Sequence, residues 1–104
     1  MDPKIAALLG FARKANKLVS GESAAVAILK KGQAGLVILA EDISPNLHKK
    51  YALWCADEGI PLISTGTKHD LGMNIGLSPR SVIVVTDDKF AQSILQTGGF
   101  DQRK

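Results

Sequence analysis

Apolar residues at Ile5, Leu8, Leu9, Ala12 and Ala15 recur at steps of three and four, the period of one helix face. Asp2-Pro3 stands before them, an acid and then a proline suited to a first helical turn, so the spacing predicts a helix closing at Asn16-Lys17. Its other face carries Lys4, Arg13 and Lys14. A short strand, Leu18-Val19, follows. A second helix comes next, with Ser20 as candidate N-cap and Lys30-Lys31-Gly32 as a dipole-matched, glycine-terminated end.

Gly35-Leu-Val-Ile-Leu-Ala40 is a run of bulky residues without alternation, which reads as a strand covered on both faces. Glu41-Asp42-Ile43 turns away from it. Ser44-Pro45 then opens a helix marked by Leu47, Tyr51, Trp54, Cys55 and Glu58 and closed by Gly59. Pro61 to Ser64 is predicted as a strand, His69 to Gly76 as a short helix and Ser81 to Thr86 as a strand. The last helix starts from Asp87, carries Phe90, Ala91, Ile94 and Leu95, and stops at Gly98-Gly99, leaving Gln102-Arg103-Lys104 as a loose tail. Helices alternating with short buried strands argue for a central sheet, mixed or parallel, between helical layers. The expected fold is α/β, a three-layer α/β/α sandwich around a mixed sheet of about four short strands, with residues 1–104 as one domain.

Composition agrees: 45% hydrophobic and 22% charged residues over 104 positions are those of a globular chain, which at this length buries roughly two-thirds of its extended surface. Cys55 is the only cysteine, so an internal disulfide and a thiolate metal cluster are both excluded within one chain. The longest apolar run, Ser81 to Thr86, is too short to span a bilayer, and the N-terminus lacks the basic start and apolar stretch of a signal peptide. A cytoplasmic monomer with no membrane partner and no cofactor is expected. Charge alters that plain picture. Residues 1–32 hold six bases (Lys4, Arg13, Lys14, Lys17, Lys30, Lys31) and two acids (Asp2, Glu22), a local +4 within a chain of net +3. Such a cluster suits a polyanion such as RNA, although charge alone favours the plainer reading of a solvated basic face.

Catalytic patterns are missing. Ser20-Gly21-Glu22-Ser23 lies where a strand hands over to a helix, a place where backbone N–H groups hold anions, but the phosphate-loop lysine and second glycine are absent. Glu22 would repel a phosphate there; in a first turn it stabilises its own helix by about 0.3–1 kcal/mol. His48 and His69 have no companions at metal-ligand spacing, and no nucleophile elbow accompanies His69-Asp70. Cys55 beside Trp54 reads as a buried, inert thiol, and Asp87-Asp88 as a helix cap. A phosphate-binding domain built on helix starts at Ser20, Ser44 and Asp87 meets the acids Glu22, Glu41-Asp42 and Asp87-Asp88 at those very starts. A binding module, not an enzyme, is expected.

Three stretches carry a likeness to a known family: Gly21 entering a helix that ends Lys31-Gly32, Ala40-Glu41-Asp42-Ile43-Ser44-Pro45 after a buried strand, and Leu71-Gly72-Met73-Asn74-Ile75-Gly76. With the order of elements, the chain resembles the L7Ae and L30e group of RNA-binding ribosomal proteins, in particular its short bacterial members, from the first helix to Ile94-Leu95. The resemblance implies contact with a kink-turn, an RNA motif in which tandem sheared G·A pairs sit beside a sharply bent backbone. It implies that Gly21 lets the strand-to-helix turn lie against RNA. The family pattern Gly-x-Asn-Glu-x-x-Lys, counted from Gly21, places its asparagine, glutamate and lysine on Ser23, Ala24 and Ala27, so only the glycine matches outright. Ser23 keeps a hydroxyl, and Glu22 offers a carboxylate one residue away.

The family's second surface, the loop after the Leu-Gly motif, here reads Leu77-Ser78-Pro79-Arg80. Leu77 and Pro79 supply apolar contact; Arg80 supplies a planar cation for phosphate or for stacking on an unpaired base. The resemblance thus implies a non-enzymatic RNA-binding protein, ribosome-associated, with structured RNA (a kink-turn or ribosomal RNA) as partner and no DNA. Lys17, Gly21, Glu22, Ser23 and Leu77, Ser78, Pro79 and Arg80 are expected to form one continuous RNA-binding surface, with Lys14 and Lys31 adding attraction from its edge. The alternative is the same fold serving as an adaptor for another structured RNA or for a protein.

Overall fold

The computed structural model describes residues 1–98; Gly99 of the expected helix stop and the tail Gln102-Arg103-Lys104 lie outside the described residues. Nine elements follow in order: α1 Pro3–Lys14, β1 Leu18–Ser20, α2 Glu22–Lys30, β2 Leu36–Leu39, α3 Pro45–Glu58, β3 Leu62–Ser64, α4 Lys68–Asn74, β4 Val82–Val85 and α5 Asp88–Thr97. Local chemistry explains most of the boundaries. The Asp2 carboxylate accepts from the Lys4 amide at 2.7 Å with Pro3 behind it, and the Ser44 hydroxyl accepts from the Leu47 amide at 3.2 Å. Asp87 accepts from the Phe90 amide at 3.0 Å, so its place at a helix start is that of a cap. Gly59 closes α3 in the left-handed conformation.

The four strands form one mixed sheet in the order β1-β4-β2-β3, with β2 and β3 parallel and β4 antiparallel to both its neighbours. Register is set by pairs such as Leu18 with Val85, Ser20 with Ile83 and Leu39 with Val82. Side chains alternate across the sheet. Leu36, Ile38, Ala40, Ile83 and Val85 pack with Ile5, Leu9, Leu71 and Ile94 of α1, α4 and α5. Val37, Leu39, Val82 and Val84 pack with Ala25, Leu29, Tyr51 and Cys55 of α2 and α3. Two buried clusters on opposite faces of one sheet make the three layers, and each fully buried leucine or isoleucine contributes about 1.5–3 kcal/mol. Cys55 is buried as its helix face requires, and burial pushes its thiol up to about 11, so it is unreactive near neutral pH. No helix among the described residues is long and apolar enough to cross a membrane.

Topology fixes what shares each end of the sheet. β1, β2 and β3 all finish where antiparallel β4 begins. Gly21, Glu41, Thr65 and Ser81 therefore meet at one end, and Lys17, Gly35 and Thr86 meet at the other.

Two local expectations change. Ser20 is not the cap of α2 but the last residue of β1, paired with Ile83; the N-cap position falls on Gly21, which supplies no side chain. The ladder extends one residue beyond the expected strand because the Gly21 amide donates to the Val82 carbonyl at 3.0 Å. The short helix starts and ends earlier than expected, at Lys68 and Asn74, because a capping box anchors it. The Thr67 hydroxyl accepts from the Asp70 amide at 3.1 Å, and the Asp70 carboxylate accepts from the Thr67 amide at 3.0 Å.

The Thr67 backbone hydrogen bond, foremost among its partners, holds the Asp70 carboxyl below its ordinary range. A carboxylate with a lowered folded pKa stabilises above its unfolded value, about 3.9, and that contribution fades as pH falls through the folded value. Acid should therefore weaken the capping box at the start of α4. Thr67→Ala should cost about 0.5–2 kcal/mol of stability as a lost cap and raise the Asp70 titration only in part, because the Thr67 backbone N–H still donates to its carboxylate. A carboxyl-resolved NMR titration of wild type and variant checks both the direction and its cause.

Candidate nucleic-acid interface

At the end of β1 the chain passes through Gly21 with φ 91° and ψ 157°, a conformation open to glycine and strained for any residue with a Cβ. No atom lies within 4 Å of where a Cβ would stand, so the turn presents bare backbone to open space. Glu22 and Ser23 follow as exposed residues in the first turn of α2, and the helix has no side-chain cap. Its leading N–H groups consequently point outward without a local side-chain acceptor.

Beside this turn lies the loop from α4 to β4. Its position is dictated by Gly72, whose lack of a side chain lets the Leu77 and Ser78 carbonyl groups pack directly on α4. The Leu77 amide donates to the Gly72 carbonyl at 2.8 Å, and the Arg80 amide donates to the Lys68 carbonyl at 3.0 Å. Leu77 turns its half-buried side chain into the α1, α4 and α5 core, so it anchors the loop from below. Ser78 and Pro79 are exposed.

Arg80 joins loop to turn. Its Nε donates to the Ser20 hydroxyl at 3.1 Å, across 60 residues of sequence. Its Nη1 faces three acceptors of its own loop: Ser78 Oγ at 2.7 Å, Ser78 O at 3.2 Å and Pro79 O at 3.2 Å. The guanidinium is thereby held in one orientation, with Nη2 outside these contacts. A fixed planar cation loses less freedom on meeting a phosphate or a base than a swinging one.

The structure thus brings Gly21, Glu22, Ser23, Ser78, Pro79 and Arg80 together at one end of the sheet. Lys17 is not among them: it sits at the opposite end of β1, where its carbonyl accepts from the Thr86 amide at 2.9 Å. Four residues of extended chain put its Cα roughly 13 Å from Gly21. Lys14 and Lys31, at the C-terminal ends of α1 and α2, stand at that far end as well.

Other groups share the Gly21 end. The Glu41 amide donates to Gly66 O at 2.8 Å, and the Lys68 amide donates to Asp42 Oδ1 at 2.9 Å, which ties the Ala40-to-Ser44 turn to the start of α4. His48 Nε2 lies 3.4 Å from Ser64 Oγ at the mouth of an open hollow also lined by Glu41, Ile43 and Pro45. The sequence offered no sign of that pairing, which depends on β3 lying parallel beside β2 and under α3. Serine at position 20 carried a readable signal, a polar residue before glycine, that fits a cap and a strand end equally well. Among the described residues no group of three or more His, Cys, Asp or Glu could hold a metal ion.

With this geometry in place, comparison with known proteins decides the lineage. Residues 3–95 match the model of the ribosomal protein L7Ae/L30e/S12e/Gadd45 family. The chain belongs to this family. Among its relatives, RNA-binding protein YlxQ of Bacillus subtilis is 38% identical over 88 residues, covering 85% of this chain and 88% of the relative. The large ribosomal subunit protein eL8 of Picrophilus torridus is 28% identical over 75 residues, 71% of this chain and 59% of the archaeal one. A solved Bacillus halodurans protein of unknown function superposes with a TM-score of 0.87 at 35% identity, covering 91% of this chain and 96% of that one. The Giardia lamblia 15.5kD RNA binding protein superposes with a TM-score of 0.78 at 23% identity, covering 93% and 96%, and so shares the fold. The family membership and the mixed-sheet sandwich expected from the sequence are both present in this L7Ae-family chain.

Proposed function

We propose that this protein is a non-enzymatic RNA-binding protein that recognises a kink-turn or similarly bent RNA in association with the ribosome. The observation that carries the reading is the Arg80 to Ser20 bond, which fuses the bare backbone of the Gly21 turn and the Ser78-Pro79 loop into a single preorganised face. RNA lying on that face meets outward backbone N–H groups, two exposed polar side chains at Glu22 and Ser23, and one fixed cation. Glu22 accepts from guanine edge donors, while Arg80 takes phosphate or stacks on an unpaired base. The name of the Bacillus subtilis relative supports RNA as partner, and the ribosomal name of the archaeal one supports the setting.

Binding to a kinked hairpin RNA should weaken as salt rises and should exceed binding to a straight duplex of the same length. Arg80→Ala should raise the Kd about ten- to a hundredfold, the scale of a lost hydrogen bond to a charged group. Ser20→Ala should weaken binding less, since the charge remains and only its orientation is released. Calorimetric titration of the three proteins with both RNAs tests this; equal affinity for kinked and straight RNA would remove the kink-turn reading.

A second reading has a specific observation behind it. The helix positions that carry the family's glutamate and lysine are here Ala24 and Ala27, and Ala27 is exposed. Losing two base contacts worth about 1–3 kcal/mol each leaves room for the same face to serve a different structured RNA or a protein. Crosslinking in cells followed by RNA sequencing separates these, because a protein-only partner enriches no RNA.

A further inference from the structure

The Gly21 face does not hold the chain's lysine cluster of residues 14–31. Around that face, Lys68 and Arg80 stand with the carboxylates Glu22, Glu41, Asp42 and Asp70. At the other end of the sheet three chain turns converge on the last residues of β4. The Thr86 amide donates to Lys17 O at 2.9 Å and the Gly35 amide donates to Val85 O at 2.8 Å, so the turns after α1 and after α2 flank β4 from its two sides. Gln33 and Thr86 line one polar hollow there. Because α1 and α2 cover opposite faces of the sheet, Lys14 and the pair Lys30 and Lys31 stand on either side of the foot of β1, with Lys17 between them. Lys89, in the first turn of α5, adds a fifth cation. All five lysines are exposed. Among the described residues Asp87 and Asp88 oppose them locally; Asp88 lines the same hollow, and Asp87 is engaged as a cap. Asp57 and Glu58 end α3 beside β3, at the far edge of the four-strand order.

We propose that this lysine-rich end is a second RNA-contact surface, which grips the phosphate backbone of another RNA segment while the Gly21 face holds the first, so that the protein bridges two segments. The inference rests on RNA being the partner, as argued above, and adds where most of the electrostatic affinity resides. Phosphate neutralisation by lysine supplies sequence-independent affinity in proportion to the cations brought to the backbone, and here those cations lie about 13 Å or more from the turn that reads shape. Asn16 and Gln33, both exposed between the lysines, offer amide donors for phosphate or ribose oxygens. Lys17 then contacts RNA, but from the opposite end to the one its place in the sequence suggests.

The test immobilises a kink-turn hairpin, saturates it with protein and adds a fluorescent straight RNA duplex of about 16 base pairs, the span of two minor grooves. Wild type should capture the duplex. The triple variant Lys17→Gln, Lys30→Gln, Lys31→Gln should stay on the hairpin at saturating concentration and retain less than about a tenth of the captured duplex, a loss matching a salt slope lower by two to three. Thermal melting of the variant within a few degrees of wild type confirms that only surface charge has changed. Equal capture by the variant overturns the proposal. Wild type that holds the hairpin and captures no duplex overturns it too and leaves the Gly21 face standing, whereas wild type that binds neither RNA overturns the functional reading and the bridge together.

Discussion

Replacing Gly72 with alanine should lower the melting temperature by roughly 5–15 °C, a large effect for one methyl group in a domain this size. A Cβ there would fall on the backbone carbonyl of Ser78 and within 3 Å of the Leu77 carbonyl oxygen. Backbone cannot rotate aside as a side chain can. The Leu77 amide to Gly72 carbonyl bond of 2.8 Å must lengthen or α4 must shift off the core, where Leu71 and Ile75 are buried. Such overpacking costs about 1–3 kcal/mol, sometimes more, while the helix-propensity gain of alanine over glycine returns only about 1 kcal/mol. Clash therefore wins. Gly10→Ala makes the control: it is also mid-helix, but its added Cβ would meet Asn74 O at an ordinary 3.6 Å. That variant should melt at or above the wild-type temperature. Calorimetric melts of both proteins check the contrast, and Gly72→Ala should also lose RNA affinity, because the displaced loop is the one that carries Ser78 and Arg80.

The second large effect belongs to Gly21→Val. No atom stands within 4 Å of the added Cβ, so packing does not penalise the change. The backbone does, since φ 91° with ψ 157° is nearly forbidden to a β-branched residue and costs about 1–3 kcal/mol. If the turn relaxes to avoid that strain, the Gly21 amide to Val82 carbonyl bond and the entry angle of α2 change with it. If it does not relax, the isopropyl group stands on the face proposed for RNA. Either way affinity for a kinked RNA should fall by more than about tenfold, or 1.4 kcal/mol, measured by titration at a temperature where melting shows the variant to be fully folded. Gly21→Ala should fall between wild type and Val, which separates backbone strain from bulk.

How legible these features are in the sequence depends on how far apart their partners lie along the chain. The helices and strands follow from apolar spacing and caps: Asp2-Pro3, Ser44-Pro45 and Asp87 behave as short-range chemistry dictates. The buried run Leu36–Leu39 announces a strand covered on both faces, which is how it packs. The antiparallel placement of β4 between β1 and β2 is not written locally, since a run of four buried residues has no direction. That placement decides which loops meet. It brings Ser78–Arg80 to Gly21 and sends Lys17 away, although Lys17 is only four positions from Gly21 in the chain. Ser20 reads as a cap for the same reason: a hydroxyl before glycine fits one, and its place as a strand end depends on Ile83 and Arg80, both 60 or more residues on. A glycine inside the α4 pattern, Leu71-Gly72-Met73, was the one local hint that another backbone comes close.

The most direct measurement is an amide-resolved NMR titration of the labelled protein with a kink-turn hairpin and, separately, with a straight duplex. The shared face built by the Arg80 to Ser20 contact requires that the hairpin move the amides of Gly21, Glu22 and Ser23 together with those of Ser78 and Arg80, at the same RNA ratio, and that the straight duplex leave them nearly still. Shifts from the hairpin that miss both segments, or that touch one of them and never the other, would contradict it.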